Sequence, residues 1–146
     1  MKSPLTGKEM KVVQEPRVWR FRGEEFPYIH TAFLCEDTGE QFTTDETDMD
    51  GFNQVADQYR EKYGLPGPEE IRAIRSRFHL SAAKMSLILG LGTNQYRLYE
   101  QGEVPNISNG RLIRCAADPR TFLTLVECSK NQLKDSEYRK IIARIR

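Results

Sequence analysis

The stretch PEEIRAIRSRFHLSAAKMSLILGLGTNQYRLYEQG, residues 68–102, decides the reading of this chain. Pro68 suits a first helical position, and Glu69 and Glu70 follow it where acids complement the helix dipole. Ile71, Ile74 and Phe78 then form one apolar stripe at helical spacing. Leu80 leads into Ser81, whose hydroxyl suits an N-cap, and a second helix over 82–89 buries Met85, Ile88 and Leu89. Gly90, Leu91 and Gly92 stop it. A third helix follows over 94–101, with Thr93 as its cap and Gly102 closing it. Glu103, Val104, Pro105 and Asn106 form a loop before helical spacing resumes over 107–117.

The third helix sorts its residues by face. Tyr96 and Tyr99 pack inward, while Asn94, Gln95 and Arg97 point elsewhere. Asn and Gln pair bidentately with adenine and Arg with guanine across the major groove of DNA. Three short helices with glycine in the inter-helix turn are the arrangement that places a recognition helix in that groove. Ser81 and the amides at its helix start are suited to grip a phosphate, with Lys84 adding charge beside them. Thr93 and Leu98 flank the readers, and Asn106, Ser108, Asn109 and Arg111 are the corresponding candidates on the other side of the groove. The plainer alternative is a helical bundle whose polar third helix faces solvent. The ordered set Ser81, Met85, Gly90, Leu91, Tyr96, Tyr99, Glu100, Gly102 and Pro105 argues against it, because it resembles the phage-repressor-like helix-turn-helix family.

Outward from this stretch, 146 residues allow one compact domain or two small modules. With 38% hydrophobic and 29% charged residues, the chain can bury a core under a well-solvated surface. No run approaches the roughly 20 apolar residues of a membrane span, and the first residues lack an apolar signal core. A cytoplasmic protein with no membrane partner is expected. Cys35, Cys115 and Cys128 are odd in number and far apart, which suits a reducing compartment and burial as small apolar side chains. His30 and His79 lie in unrelated segments, and no nucleophile elbow, phosphate loop or paired-carboxylate motif occurs. The reading is therefore not an enzyme, with no catalytic residues and no cofactor.

The net charge of +1 conceals an asymmetry: residues 1–65 carry −5, residues 66–128 +2 and residues 129–146 +4. A basic C-terminal half points to a nucleic-acid partner.

Residues 11–42 are strand-like. Trp19 and Phe21 alternate with Arg20 and Arg22, and Gly7, Gly23 and Gly39 mark turns. Between Glu36 and Asp50 stand seven acids (Glu36, Asp37, Glu40, Asp45, Glu46, Asp48 and Asp50) and no Lys or Arg. Phe52, Val55, Ala56 and Tyr59 then recur at helical spacing until Gly64. The Gly- and Pro-rich segment 64–68 marks a domain boundary. The expected class is α+β: a small antiparallel β module over 1–46, a linker helix over 47–65, an all-α helix-turn-helix domain over 66–128, and a basic helix or arm over 129–146. That last segment either lies on DNA phosphates or packs on the body or a partner subunit.

The order of modules supports a wider resemblance. Ser3-Pro4-Leu5-Thr6-Gly7 and Cys35-Glu36-Asp37-Thr38-Gly39-Glu40 stand where a zinc-ribbon antitoxin of the MqsA (YgiT-type) family has two Cys-x-x-Cys-Gly knuckles. With residues 92–102, the chain from 1 to about 128 resembles that family, and it looks closest to the branch in which a larger SocA-like (Panacea) domain follows. Of the four positions that would hold zinc, Ser3, Thr6 and Thr38 are not strong ligands and only Cys35 remains. A structural site needs four, so no metal is expected, and a lone strand histidine such as His30 reads as packed or exposed. Structural zinc supplies roughly 10–16 kcal/mol to such modules. Trp19, Phe21, Phe26, Tyr28, Phe33 and Phe42, packed on the helix after Phe52 or on a second subunit, are the candidates to replace it.

The resemblance implies a homodimeric repressor of its own operon and an antitoxin, its N-terminal module binding a toxin that is often an RNA-cleaving enzyme. It places a base-reading Asn at Asn94. The family's second reader, an Arg before the Tyr-Glu pair, is Leu98 here, so Arg97 takes over that contact or the operator differs. Ile107, Leu112, Ile113, Phe122, Leu123, Leu125 and Val126 offer apolar surface for a core plus a dimer interface. The alternative function is a protein-interaction adaptor that binds a toxin or enzyme through residues 1–65, with DNA binding secondary.

Overall fold

Arg22 and Gly23, both at positive φ (52° and 81°), reverse the chain in two residues, the backbone hand that matches strand twist in a tight hairpin. They join β1 (Lys11–Phe21) to β2 (Glu24–Leu34), paired antiparallel from Phe21↔Glu24 to Lys11↔Leu34. The short β3 (Gln41–Phe42) adds to the far end of β2. Seven helices follow: α1 (Asp45–Tyr63), α2 (Pro68–Arg77), α3 (Ala82–Leu89), α4 (Gln95–Glu100), α5 (Ile107–Ala116), α6 (Pro119–Cys128) and α7 (Asp135–Ile145), with a 3-10 turn at Lys130–Gln132. This computed structural model describes all of residues 1–146, and the class is α+β. No helix is long and apolar enough to cross a membrane.

The chain divides into two units, residues 1–59 and 60–146. The division falls inside α1, not at the expected 64–68 segment, and α1 begins at Asp45, two residues before the expected 47. The reason lies in Leu65 and Pro66, which are buried. A Cβ on Gly110 of α5 would stand 2.7 Å from Leu65 Cδ2, so this segment belongs to the core of the second unit despite its turn-forming composition.

In the first unit, period-2 alternation puts Trp19, Phe21, Phe26 and Tyr28 on one face of the sheet. Phe52 and Tyr59 of α1 meet them edge to face, with Trp19–Phe52 at 6.0 Å, Phe21–Tyr59 at 5.2 Å and Phe26–Tyr59 at 6.1 Å between ring centroids. Each such pair adds about 0.5–1.5 kcal/mol beyond the area it buries. Val55 and Ala56 are fully buried. Helix α1 also closes part of the open β2 edge. Gln54 Oε1 accepts from the Ile29 N–H (2.8 Å) while its Nε2 donates to the Ile29 carbonyl (3.1 Å), as a paired strand would. Gln58 Nε2 donates to the Pro27 carbonyl (2.6 Å).

In the second unit, the stripes read from the sequence meet in one core: Ile71, Ile74 and Phe78 of α2, Met85, Ile88 and Leu89 of α3, and Tyr96 and Tyr99 of α4, joined by Ile113, Phe122 and Val126. Phe78 and Phe122 stack at 4.0 Å. Ile113, Phe122 and Val126 are thereby consumed internally, and of the seven apolar residues proposed for a core plus an interface, Ile107, Leu112, Leu123 and Leu125 stay partly exposed. Residues 129–146 pack on the body. Leu133 and Ile141 are buried in the same core, Tyr138, Ile142 and Ile145 lie against it, and the Arg144 guanidinium donates to the carbonyls of Phe78 and His79 (3.5 and 3.1 Å).

Candidate nucleic-acid interface

Ser81 stands extended (φ −76°, ψ 159°) before α3, and its Oγ accepts the Lys84 N–H at 3.1 Å. Gly90 ends α3 in the left-handed region (φ 74°), a conformation that costs glycine nothing. The chain then turns through Leu91, Gly92 and Thr93 into α4. Six residues are too few for a helix to persist by its own hydrogen bonds, so α4 owes its form to its inward side chains. The Tyr96 hydroxyl donates to the Ile71 carbonyl of α2. Tyr99 Oη accepts from Asn109 Nδ2 of α5 at 3.0 Å. Glu100, buried, accepts from Arg75 Nε (3.0 Å) and Nη2 (2.8 Å) and lies 3.5 Å from Arg72 Nε. Burial, then the Glu100 charge, pushes the Tyr96 phenol well above its usual range, and the hydrogen bond to Glu100 raises the Arg75 guanidinium.

What α4 turns outward follows from what it turns inward. Asn94 and Arg97 are exposed and their side chains make no hydrogen bond or ion pair within the chain, while Gln95 and Leu98 are half-buried. Gln95 departs from the expectation of an open reader, because its Nε2 is buried and has no partner. Thr93 does not cap the helix. Asn94 precedes the first turn without a side-chain cap, and the Tyr96 N–H is taken by Ser86 Oγ of α3 at 3.0 Å. Gly102 lies one residue beyond the C-cap, Gln101.

Ser81, Lys84 and Thr93 line one concave surface of about 640 Å³ with Leu87, Leu91 and Gln132. Lys84 is not the unpaired cation expected. Its Nζ lies 2.7 Å from a Glu137 carboxylate oxygen on α7, and that hydrogen bond holds the Glu137 carboxyl below its usual range. The second set serves α5. Asn106 Oδ1 accepts from the Asn109 N–H (2.7 Å) and the Ser108 hydroxyl (3.0 Å), and Arg111 donates twice to the Tyr63 carbonyl (3.3 and 3.2 Å). Their first duty is to the fold, with Asn109 spent on Tyr99. Arg75, Ser86 and Gln132 are site-shaping residues that sequence reasoning missed. Their partners lie on other helices, and no local pattern marks them.

Elsewhere, the four positions of the two knuckle-like turns do converge. Ser3 Oγ donates to Cys35 Sγ at 3.3 Å, Thr6 Oγ1 lies 3.9 Å from it, and the Thr38 hydroxyl also reaches it. The two turns repeat one geometry. Gly7 N–H bonds the Ser3 carbonyl (2.9 Å) and Gly39 N–H the Cys35 carbonyl (2.7 Å), with the glycines at φ 72° and 75°. Hydrogen bonds from Ser3 and then Thr38 outweigh burial and bring the Cys35 thiol down to about 7. One thiol and three hydroxyls do not fit zinc, and no group of three His, Cys, Asp or Glu side chains gathers to hold a metal ion.

The two units differ in sign of charge: residues 1–59 hold 6 Lys/Arg against 12 Asp/Glu, net −6, and residues 60–146 hold 16 against 9, net +7. Comparison with known proteins finds no family model that matches the chain and no curated protein that matches it by sequence.

Proposed function

We propose that this chain binds double-stranded DNA sequence-specifically as a homodimeric cytoplasmic repressor, and that it is an antitoxin of the MqsA type acting on its own operon. The observation that carries the DNA reading is the division of labour on α4: Tyr96, Tyr99 and Glu100 tie it to α2 and α5, while the side chains of Asn94 and Arg97 stand exposed with nothing in the chain to bond. A short helix held rigidly by its neighbours, offering an amide and a guanidinium, suits adenine and guanine edges in the major groove. The +7 balance of residues 60–146 supplies the attraction to phosphates that any such protein needs. Homodimerisation follows from the small footprint of one recognition helix.

The test is selection of bound sequences from a random duplex pool, followed by affinity measurement at fixed salt. The wild type should prefer the selected duplex over random DNA, and Asn94→Ala with Arg97→Ala should erase that preference while thermal unfolding stays unchanged. Each good bidentate contact is worth about 1–3 kcal/mol of discrimination. Preserved discrimination in the double variant would refute the assignment of α4.

The antitoxin reading rests on the resemblance and on the acidity of residues 1–59, which suits a basic protein partner. Co-expression with a small neighbouring reading frame should relieve that frame's toxicity and yield a stoichiometric complex.

A further inference from the structure

A small cavity of about 130 Å³ in the first unit is walled by Trp19, Tyr28 and His30 of the hairpin and by Thr47, Asp48 and Gly51 of α1. We infer that it is a socket for one arginine or lysine side chain of a basic protein partner. Trp19 and Tyr28 meet at 63° with centroids 5.5 Å apart, and Tyr28 and His30 at 89° and 6.2 Å. Three aromatic rings set at steep angles form two adjoining corners, the geometry in which ring faces attract a cation through their quadrupoles. Asp48 stands exposed at the mouth, and no Lys or Arg of the chain pairs with it. A guanidinium, planar and with only four heavy atoms, is small enough for a cavity of about 130 Å³.

Gly51 keeps the cavity open. It lies in the interior of α1, where glycine is a poor helix former, and a Cβ there would sit 3.1 Å and 3.3 Å from Tyr28 ring carbons and 3.7 Å from Trp19. Asp45, Glu46 and Asp50 stand on the same helix, where they line a separate concave surface with Met49 and Asn53, and no cation in the chain pairs with any of them. That charge repels nucleic-acid phosphates and anionic lipid, which leaves a basic polypeptide as the macromolecule that fits. A metal ion does not fit, since His30 and Asp48 are the only strong ligands lining it. The site lies wholly within residues 1–59. It gives the partner-binding reading a defined contact and stands whether or not α4 reads DNA.

Trp19 is the chain's single tryptophan, so its emission reports on this site alone. The experiment titrates the full chain with a hexa-arginine peptide and, separately, with its neutral citrulline counterpart. Saturable change in Trp19 emission with the arginine peptide and none with citrulline is expected. Asp48→Asn and Gly51→Ala should each raise the midpoint several-fold, while Glu40→Gln, which removes an acid outside the cavity, should leave it nearly unchanged. Near-ultraviolet circular dichroism checks the fold of each variant, and if Gly51→Ala fails to fold, Asp48→Asn against Glu40→Gln decides. Equal binding of the citrulline peptide, or equal weakening by Asp48→Asn and Glu40→Gln, overturns the proposal in favour of diffuse attraction.

Discussion

Arg75 on α2 grips Glu100 at the end of α4 through two parallel hydrogen bonds, from Nε at 3.0 Å and Nη2 at 2.8 Å, across 25 residues of sequence. The same guanidinium donates from Nη1 to the Leu80 carbonyl (3.2 Å) at the entry to α3. One side chain thus fixes the start of the motif's first helix and the end of its second. Glu100→Ala leaves a partly buried guanidinium without its carboxylate, and the expected cost is about 2–4 kcal/mol. A fall in urea midpoint with unchanged m value measures it. Arg75→Met combined with Glu100→Leu should recover much of the loss, because it removes both charges together.

Ser86→Ala and Thr93→Ala separate a tertiary cap from an apparent local one. Ser86 Oγ is the acceptor for the Tyr96 N–H, and Ser86 and Tyr96 are both almost fully buried. Removing it orphans a buried donor, at about 1–3 kcal/mol. Thr93 is exposed and caps nothing, so Thr93→Ala should stay within about 0.5 kcal/mol of wild type, as surface changes do. Thermal unfolding of the two variants side by side decides between the roles.

That contrast marks how far the sequence could be read. Ser81, Gly90 and the limits of α3 follow from rules that act within one turn of helix, and they stand where the pattern puts them. The inward Tyr96 and Tyr99 follow from helical period, and the β1–β2 hairpin from Gly23 and the alternation around it. Ser86, Arg75 and Lys84 were not legible, because what each side chain does depends on a helix that folds against it from elsewhere in the chain. The docking of α7 is the same case. Its apolar positions announced a helix with a face to bury, and only the core containing Phe122 and Val126 shows where Leu133 and Ile141 go. Composition misled at residues 64–68, since a segment that breaks a helix can still be buried.

The Cys35 thiol makes the stability of the first unit depend on pH in a known direction. Its folded value, about 7, lies below the ordinary 9.0, chiefly through hydrogen bonds from Ser3 and Thr38. A lowered acid favours the folded state when ionised, so the contribution is complete above about pH 9 and is lost as pH falls through about 7. Cys35→Ser removes it. In a background of Cys115→Ser and Cys128→Ser, the gap in urea midpoint between Cys35 and Cys35→Ser should widen from pH 6 to pH 9. A gap that narrows over that range would mean the hydroxyls hold the neutral thiol.

The convergence of Ser3, Thr6 and Thr38 on Cys35 makes a stronger demand. Zinc–sulfur bonds of about 2.3 Å in a tetrahedron place neighbouring sulfurs about 3.8 Å apart, and Cys35 Sγ already lies 3.3 Å from Ser3 Oγ and 3.9 Å from Thr6 Oγ1. The two turns also share one backbone geometry, with Gly7 and Gly39 at matching φ and each glycine N–H bonded to the carbonyl four residues earlier. Ser3→Cys, Thr6→Cys and Thr38→Cys together should therefore bind one zinc per chain and raise the unfolding temperature in a chelator-sensitive way. Cobalt substitution gives the decisive readout: an intense visible absorption from tetrahedral thiolate ligation in the triple variant, absent from Thr6→Cys alone. If the triple variant takes up cobalt without that signature, the four positions do not share one centre, and the likeness of the two turns to metal knuckles is one of backbone alone.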